Sequence, residues 1–219
     1  MTETTNRTAR GAAVERLLAL PAEPDRDTLR PYLTDPDPDV RRAAVEVVAT
    51  WRPDWGVDAL CLALLDAAEP VRIAAAEALS PLQDRFPDQP QLFDFLEQAL
   101  DSPSLQAREI AVRLLRRTSD ASIATFAAAA RDSDPEVRTE AVRALADFRA
   151  VTQICALADD FSRAVRVEVA KTLGQLGDVR AAATLRRLAM DEQPEVQAAA
   201  VAAVSAGPAN GRLRTEFGA

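Results

Sequence analysis

The amino-acid sequence predicts an all-α solenoid of about six stacked helical hairpins, and three observations predict it. The apolar set is dominated by Ala, Leu and Val, with 48% hydrophobic residues but only 5% aromatic residues and 7 glycines in 219, a balance that favours closely packed helices over sheets. One segment pattern recurs six times along the chain, and a fixed period of this kind is the mark of a stacked-repeat architecture. Within each copy the apolar residues follow the period of a helix, not the alternation of a strand.

The six segments are DPDPDVRRAAVEVV at 35–48, DAAEPVRIAAAEAL at 66–79, SPSLQAREIAVRLL at 102–115, DSDPEVRTEAVRAL at 132–145, DFSRAVRVEVAKTL at 160–173 and DEQPEVQAAAVAAV at 191–204. Their anchors are Val40, Val71, Ala107, Val137, Val165 and Val196, separated by steps of 31, 36, 30, 28 and 31 residues. Apolar residues recur 4, 5 and 8 positions after the anchor, as in Ala44, Val45 and Val48. This stripe is the buried face of the second helix of each hairpin. The first helices are the shorter apolar runs TLRPYL, ALCLALL, LFDFLEQAL, IATFAAAA, TQICALA and AATLRRLAM that precede them.

Prolines 38, 70, 103, 135 and 194 lie near the entries of the second helices, where the missing amide costs nothing and neighbouring carboxylates meet the positive end of the helix dipole. Neither helix of a pair can bury its stripe alone, so the hairpins must stack into one continuous core. ARGAAVERLLAL at 9–20 is expected to be an N-terminal capping helix. The solenoid should span 9–206, with a disordered N-terminus at 1–8 and a frayed tail at 207–219.

Aspartate holds the position five residues before the anchor (Asp35, Asp66, Asp132, Asp160, Asp191), with Ser102 the exception. Arginine follows the anchor (Arg41, Arg72, Arg108, Arg138, Arg166), with Gln197 the exception. This pattern, and the fragment VAKTLGQLGDVRAAATLRRLAMDEQPEVQAAAVAAV at 169–204 in particular, resembles the HEAT repeat, especially the bacterial HEAT-like repeats of phycobilisome lyases. The resemblance covers nearly the whole chain. It implies a right-handed superhelix whose second helices line a concave face, and an aspartate–arginine ladder joining neighbouring repeats. It says little about function, because one repeat serves scaffolds, transport factors, enzyme subunits and a few enzymes.

Catalytic signatures are missing from the sequence. There is no histidine at all, which excludes His-dependent triads, His-ligated zinc and the His-Glu metal site of the HEAT-repeat deoxyhypusine hydroxylases. No Gly-rich phosphate loop, CxxC or GxSxG is present, so no catalytic residue, metal or cofactor is expected. Cys61 and Cys155 lie in apolar helical stretches, where a thiol acts as a small hydrophobe. No apolar run is long enough to span a membrane and the N-terminus has no signal-like core, so a reducing cytoplasm is the default expectation.

The candidate binding row lies six residues past each anchor: Glu46, Glu77, Arg113, Arg143 and Lys171, followed by Ala202. It begins acidic and turns basic, with Arg116 and Arg117 nearby. The charge of the chain is also uneven, with 10 basic and 19 acidic side chains in 1–105 against 16 and 15 in 106–219. Like charges lining a concavity focus the field on an opposite ligand. Two irregular loops are further candidates: WRPDW, with Trp51 and Trp55, and SPLQDRFPDQPQ at 80–91, with Arg85 and Phe86.

The leading expectation is a non-catalytic adaptor or accessory subunit that grips an acidic or mixed-charge protein segment. One alternative is a nucleic-acid-acting protein similar to the HEAT-like DNA glycosylases, against which the net charge of −8 counts. Another is a lyase or chaperone of the phycobilin-lyase type, which only the repeat itself suggests.

Overall fold

The structure, a computed structural model, describes residues 11–20, 24–82 and 90–206, and these are helical with short connections. The predicted N-terminal segment 1–8 and the tail 207–219 lie outside the described residues, as do Arg85 and Phe86. The chain falls into two compact units divided between Asp120 and Ala121. That division lies inside the span 9–206 which the repeat spacing draws as one.

In the first unit, helix α1 (11–18) precedes three hairpins: α2 (Arg26–Leu33) with α3 (Pro38–Trp51), α4 (Gly56–Ala63) with α5 (Glu69–Leu79), and α6 (Pro90–Ala99) with α7 (Leu105–Leu115). The second unit holds three more: α8 (Ile123–Ala129) with α9 (Pro135–Asp147), α10 (Val151–Ala156) with α11 (Arg163–Leu176), and α12 (Ala182–Leu188) with α13 (Pro194–Ala206). In each unit the second helices pack side by side, α3 on α5 on α7 and α9 on α11 on α13, with the first helices against them.

The helix entries are set by the sequence. Asp37 and Asp134 cap α3 and α9 by accepting the amides two residues on, and proline follows each of them. Asp25 and Ser122 cap α2 and α8 in the same sense, accepting from Thr28 and Thr125. Such caps satisfy amides that have no partner within the helix. Helix α11 ends on Gly177 in the left-handed conformation at φ 60°, which glycine adopts without steric cost. Helix α3 ends the same way on Arg52, at φ 48°, just before Pro53.

The anchor stripe is the core. Val40, Ala44, Val45 and Val48 are buried, as are Val71, Ala75, Ala76 and Leu79, and the corresponding residues of α7, α9 and α11. Each large aliphatic side chain removed from water contributes about 1.5–3 kcal/mol, and the six copies share this burial among them. In the last hairpin Val201 holds a position buried in the five preceding second helices but is 54% exposed. Cys61 is fully buried, and burial pushes its thiol up to about 12, which leaves it protonated and unreactive at neutral pH.

Helix α1 is more than a cap. Val14 precedes Val45 by 31 residues, the repeat step itself, and Ala13 and Leu17 are buried at the register of Ala44 and Val48. It is therefore the second helix of a partial seventh repeat.

Candidate binding row and interrepeat ladder

The ladder positions come together as planar, two-pronged ion pairs. Arg41 donates through Nε and Nη2 to the two carboxylate oxygens of Asp66, both at 2.8 Å. Arg138 does the same to Asp160 at 2.7 Å for both bonds, and Arg166 to Asp191 at 2.7 and 3.0 Å. In each case Nη1 turns back to its own repeat, donating to the carbonyls of Asp35 and Pro36, of Asp132 and Ser133, or of Asp160 and Phe161. One guanidinium thus clamps two consecutive turns, a geometry that lysine could not supply.

The aspartates have a second task. Asp35, Asp66, Asp132, Asp160 and Asp191 each accept the backbone amide two residues on, at 2.8–2.9 Å, which shapes the turn into the second helix. Burial works to raise the carboxyl pKa of Asp66 and Asp160, but the arginine bonds and the backbone amides outweigh it and hold both below the ordinary value. For Asp191 the bonds from Arg166 dominate and the direction is the same.

The two exceptions differ from each other. Gln197 keeps part of the arginine's work, donating from Nε2 to the carbonyl of Asp191 at 2.6 Å. Ser102 keeps the turn, accepting from the amide of Ser104 at 3.2 Å, but offers no carboxylate. Arg108 reaches back to the carbonyl of Ser102 at 2.9 Å, and Arg72 to the carbonyls of Asp66 and Ala67 at 2.7 and 2.8 Å.

The binding row sits at one register of the second helices. In the first unit Glu46 and Glu77 are exposed and Arg113 is half-buried; in the second, Arg143 and Lys171 are exposed. Its arginines are already engaged. Glu109 pairs with Arg113 one turn away. Arg143 lies between two carboxylates, 2.6 Å from Glu140 and 2.8 Å from Glu168. Glu46 pairs with Arg42 at 2.8 Å, both ends being open to solvent.

The sequence reading missed Glu15. Because α1 is a partial repeat, Glu15 falls at the same register as Glu46 and Glu77, each separated by 31 residues, and it too is exposed. The signal was available in that spacing, hidden by the absence of the flanking aspartate motif. Between α1 and α3 lies a groove of about 710 Å³, floored by Val14, Ala43, Val47 and Trp51 and rimmed by the carboxylates of Glu15, Asp39 and Glu46 and the guanidinium of Arg42. Leu18 lines it too and is 69% exposed. Trp51, the last residue of α3, thus faces this groove, whereas Trp55 is half-buried at the start of α4.

A sequence model of HEAT repeats matches residues 1–80, 26–104, 93–159 and 151–208. No curated protein matches the chain significantly. Among solved structures, YibA of Escherichia coli aligns at 16% identity over 91% of this chain and 74% of its own, with a TM-score of 0.57. An engineered protein aligns at 19% identity over 88% and 98%, with a TM-score of 0.56. A designed armadillo repeat protein in complex with the peptide (KR)4 aligns at 19% identity over 81% and 97%, with a TM-score of 0.55. At these identities the likeness is one of fold, a repeat scaffold of stacked hairpins. No described helix is long and apolar enough to cross a membrane.

Proposed function

We propose that this chain, which belongs to the HEAT-repeat family, is a non-catalytic protein-binding scaffold that grips a mixed-charge segment through basic side chains laid on the acidic row of its first unit. The observation that carries this reading is the row Glu15, Glu46 and Glu77, exposed at one register of successive second helices beside an apolar groove that contains Trp51. An apolar floor supplies contact area, and a rim on which three carboxylates outnumber the one guanidinium of Arg42 supplies selection for cations. The N-terminal charge excess, 10 basic against 19 acidic side chains over residues 1–105, extends the same field.

An acidic partner would depend on Arg113, Arg143 and Lys171, and of these the two arginines are engaged by neighbouring carboxylates. A basic partner meets no such competition at Glu15 or Glu77. The designed armadillo protein of similar fold holds a peptide of alternating lysine and arginine, which supports the reading at the level of architecture. The non-catalytic part rests on the role of the motif residues: aspartates and arginines that recur with the repeat are spent in holding turns together.

The test is fluorescence anisotropy with labelled (KR)4 and (DE)4 peptides at low and high salt. The basic peptide should bind the wild type and lose affinity as salt rises. A Glu15→Lys, Glu77→Lys variant should weaken it about tenfold, and Trp51→Ala should weaken it comparably through the groove floor. Equal binding of both peptides, or an unaffected charge-reversal variant of unchanged helicity, would remove the reading.

A further inference from the structure

We propose that the groove between the α10–α11 turn and the α12–α13 turn of the second unit receives an arginine side chain of a partner polypeptide, stacked on Phe161 and paired with Glu192. The groove has a volume of about 500 Å³, and Asp159, Phe161, Arg187, Met190 and Glu192 line it. Two of these side chains are apolar and open to water, Phe161 at 102% and Met190 at 86% exposed. A single exposed apolar residue is ordinary, but two on one groove form a patch suited to contact with another molecule. Phe161 lies four residues before its anchor, where the other copies carry Pro36, Ala67, Pro103, Ser133 and Glu192. The repeat itself therefore calls for no aromatic ring at that position.

The ladder sets Phe161 and Glu192 side by side. Arg166 donates through Nη1 to the carbonyl of Phe161 at 3.3 Å, and through Nε and Nη2 to the carboxylate of Asp191, the chain neighbour of Glu192. One guanidinium thus spans both turns and fixes the spacing between them.

Charge selects the occupant. Arg187 pairs with Asp159 at 2.9 Å, Arg166 is held by Asp191, and Asp160 is held by Arg138. Glu192 is exposed and makes no ion pair among the described residues. The surplus charge is therefore negative, and a partner's carboxylate would find both cations of the groove taken. A guanidinium is planar and charged at once, so it can lie on the face of Phe161 while it donates to Glu192. An aliphatic neighbour in the same partner segment would cover Met190, whose thioether adapts to varied shapes. No residue of the first unit takes part, so this site stands or falls apart from the acidic row.

Nuclear magnetic resonance of protein labelled at the methionine methyls tests this, because the chain has 2 methionines, Met1 and Met190, and Met190 lines the groove. The probe is the pentapeptide Gly-Leu-Arg-Leu-Gly blocked at both ends, compared with versions carrying lysine or uncharged citrulline at the centre. The Met190 methyl should shift saturably with the arginine peptide, with about threefold weaker binding for lysine and no saturable shift for citrulline. Phe161→Ala and Glu192→Gln should each weaken the arginine peptide about threefold, and together about tenfold. Both side chains are exposed, so helicity should not change. Glu15→Lys, Glu77→Lys should leave the titration as it is, which separates failure here from failure of the acidic row. A Met190 methyl that does not move, that responds equally to citrulline, or that keeps its full response in the Phe161→Ala, Glu192→Gln variant overturns the proposal. Free arginine binding as tightly as the peptide would overturn it too, since the groove would then recognise an amino acid and not a partner chain.

Discussion

Gly174→Ala is expected to destabilise the second unit by about 2 kcal/mol, and Gly174→Leu to separate α13 from α11. A Cβ at position 174 would lie 2.5 Å from the Cβ of Ala203 and 2.7 Å from its Cα. The nearest obstacle is the Ala203 Cβ, which has no rotamer to escape into, with the backbone Cα directly behind it. The sign of the effect is diagnostic. Glycine in a helix interior costs about 1 kcal/mol relative to alanine, so without the close approach Gly174→Ala would raise stability.

Urea unfolding gives the magnitude, and hydrogen exchange of the α13 amides locates the damage. Ala203→Gly should be mildly destabilising alone but partly rescue Gly174→Ala, because it removes one of the clashing atoms. A positive coupling in that double-mutant cycle is the signature of direct contact. A Gly174→Ala protein as stable as the wild type would show that the helices can move apart at no cost.

Asp160→Ala is expected to cost about 3 kcal/mol, because it strands Arg138 in a mostly buried setting. The side chains of this pair are only 13% and 7% exposed, and Asp160 also holds the amide of Ser162. Removing both partners in Arg138→Ala, Asp160→Ala should cost less than the sum of the single changes. Asp178 is the contrasting control. Arg180, two residues away, holds its carboxyl down to about 2, yet the pair is local and its guanidinium is open to solvent, so Asp178→Ala should cost only the cap on the Arg180 amide, about 1 kcal/mol.

The same rungs predict acid sensitivity. Asp66, Asp160 and Asp191 have carboxyl groups held below their ordinary value in the folded chain, so the unfolded chain binds protons more readily. Their contribution is complete above the unfolded carboxylate pKa of about 4 and is lost as pH falls through the folded values. Urea midpoints measured from pH 6 down to pH 2 should therefore fall, and the triple Asp→Asn variant should start lower and fall less steeply. A wild type whose midpoint is flat across that range would deny the rungs a stabilising role.

Much of this was legible in the sequence because a repeat states its rule several times. Six copies of one stripe make a helical face unmistakable where one copy would not, and the recurring aspartate and arginine mark a ladder before any contact is seen. The same logic failed where a copy departs from the rule. Helix α1 lacks the aspartate motif, so the pattern read it as a cap and passed over Glu15, although the 31-residue spacing to Glu46 was present. Gly174 passes unremarked within the fragment 169–204, because its close approach to Ala203 depends on a residue 29 positions away.

The sequence by itself determined the all-α repeat fold, the extents of the hairpins and the identity of the ladder residues, since all of these follow from local periodicity and composition. Only the tertiary structure decided which charges remain available. Arg143 reads as a free cation in the chain, but α11 brings Glu168 to 2.8 Å from it. Arg72 reads as one more rung, yet in the fold its Nε is buried with no hydrogen-bond partner. The physical reason is common to both: a side chain's charge is written in its own residue, whereas its neutralisation belongs to whatever the fold places beside it.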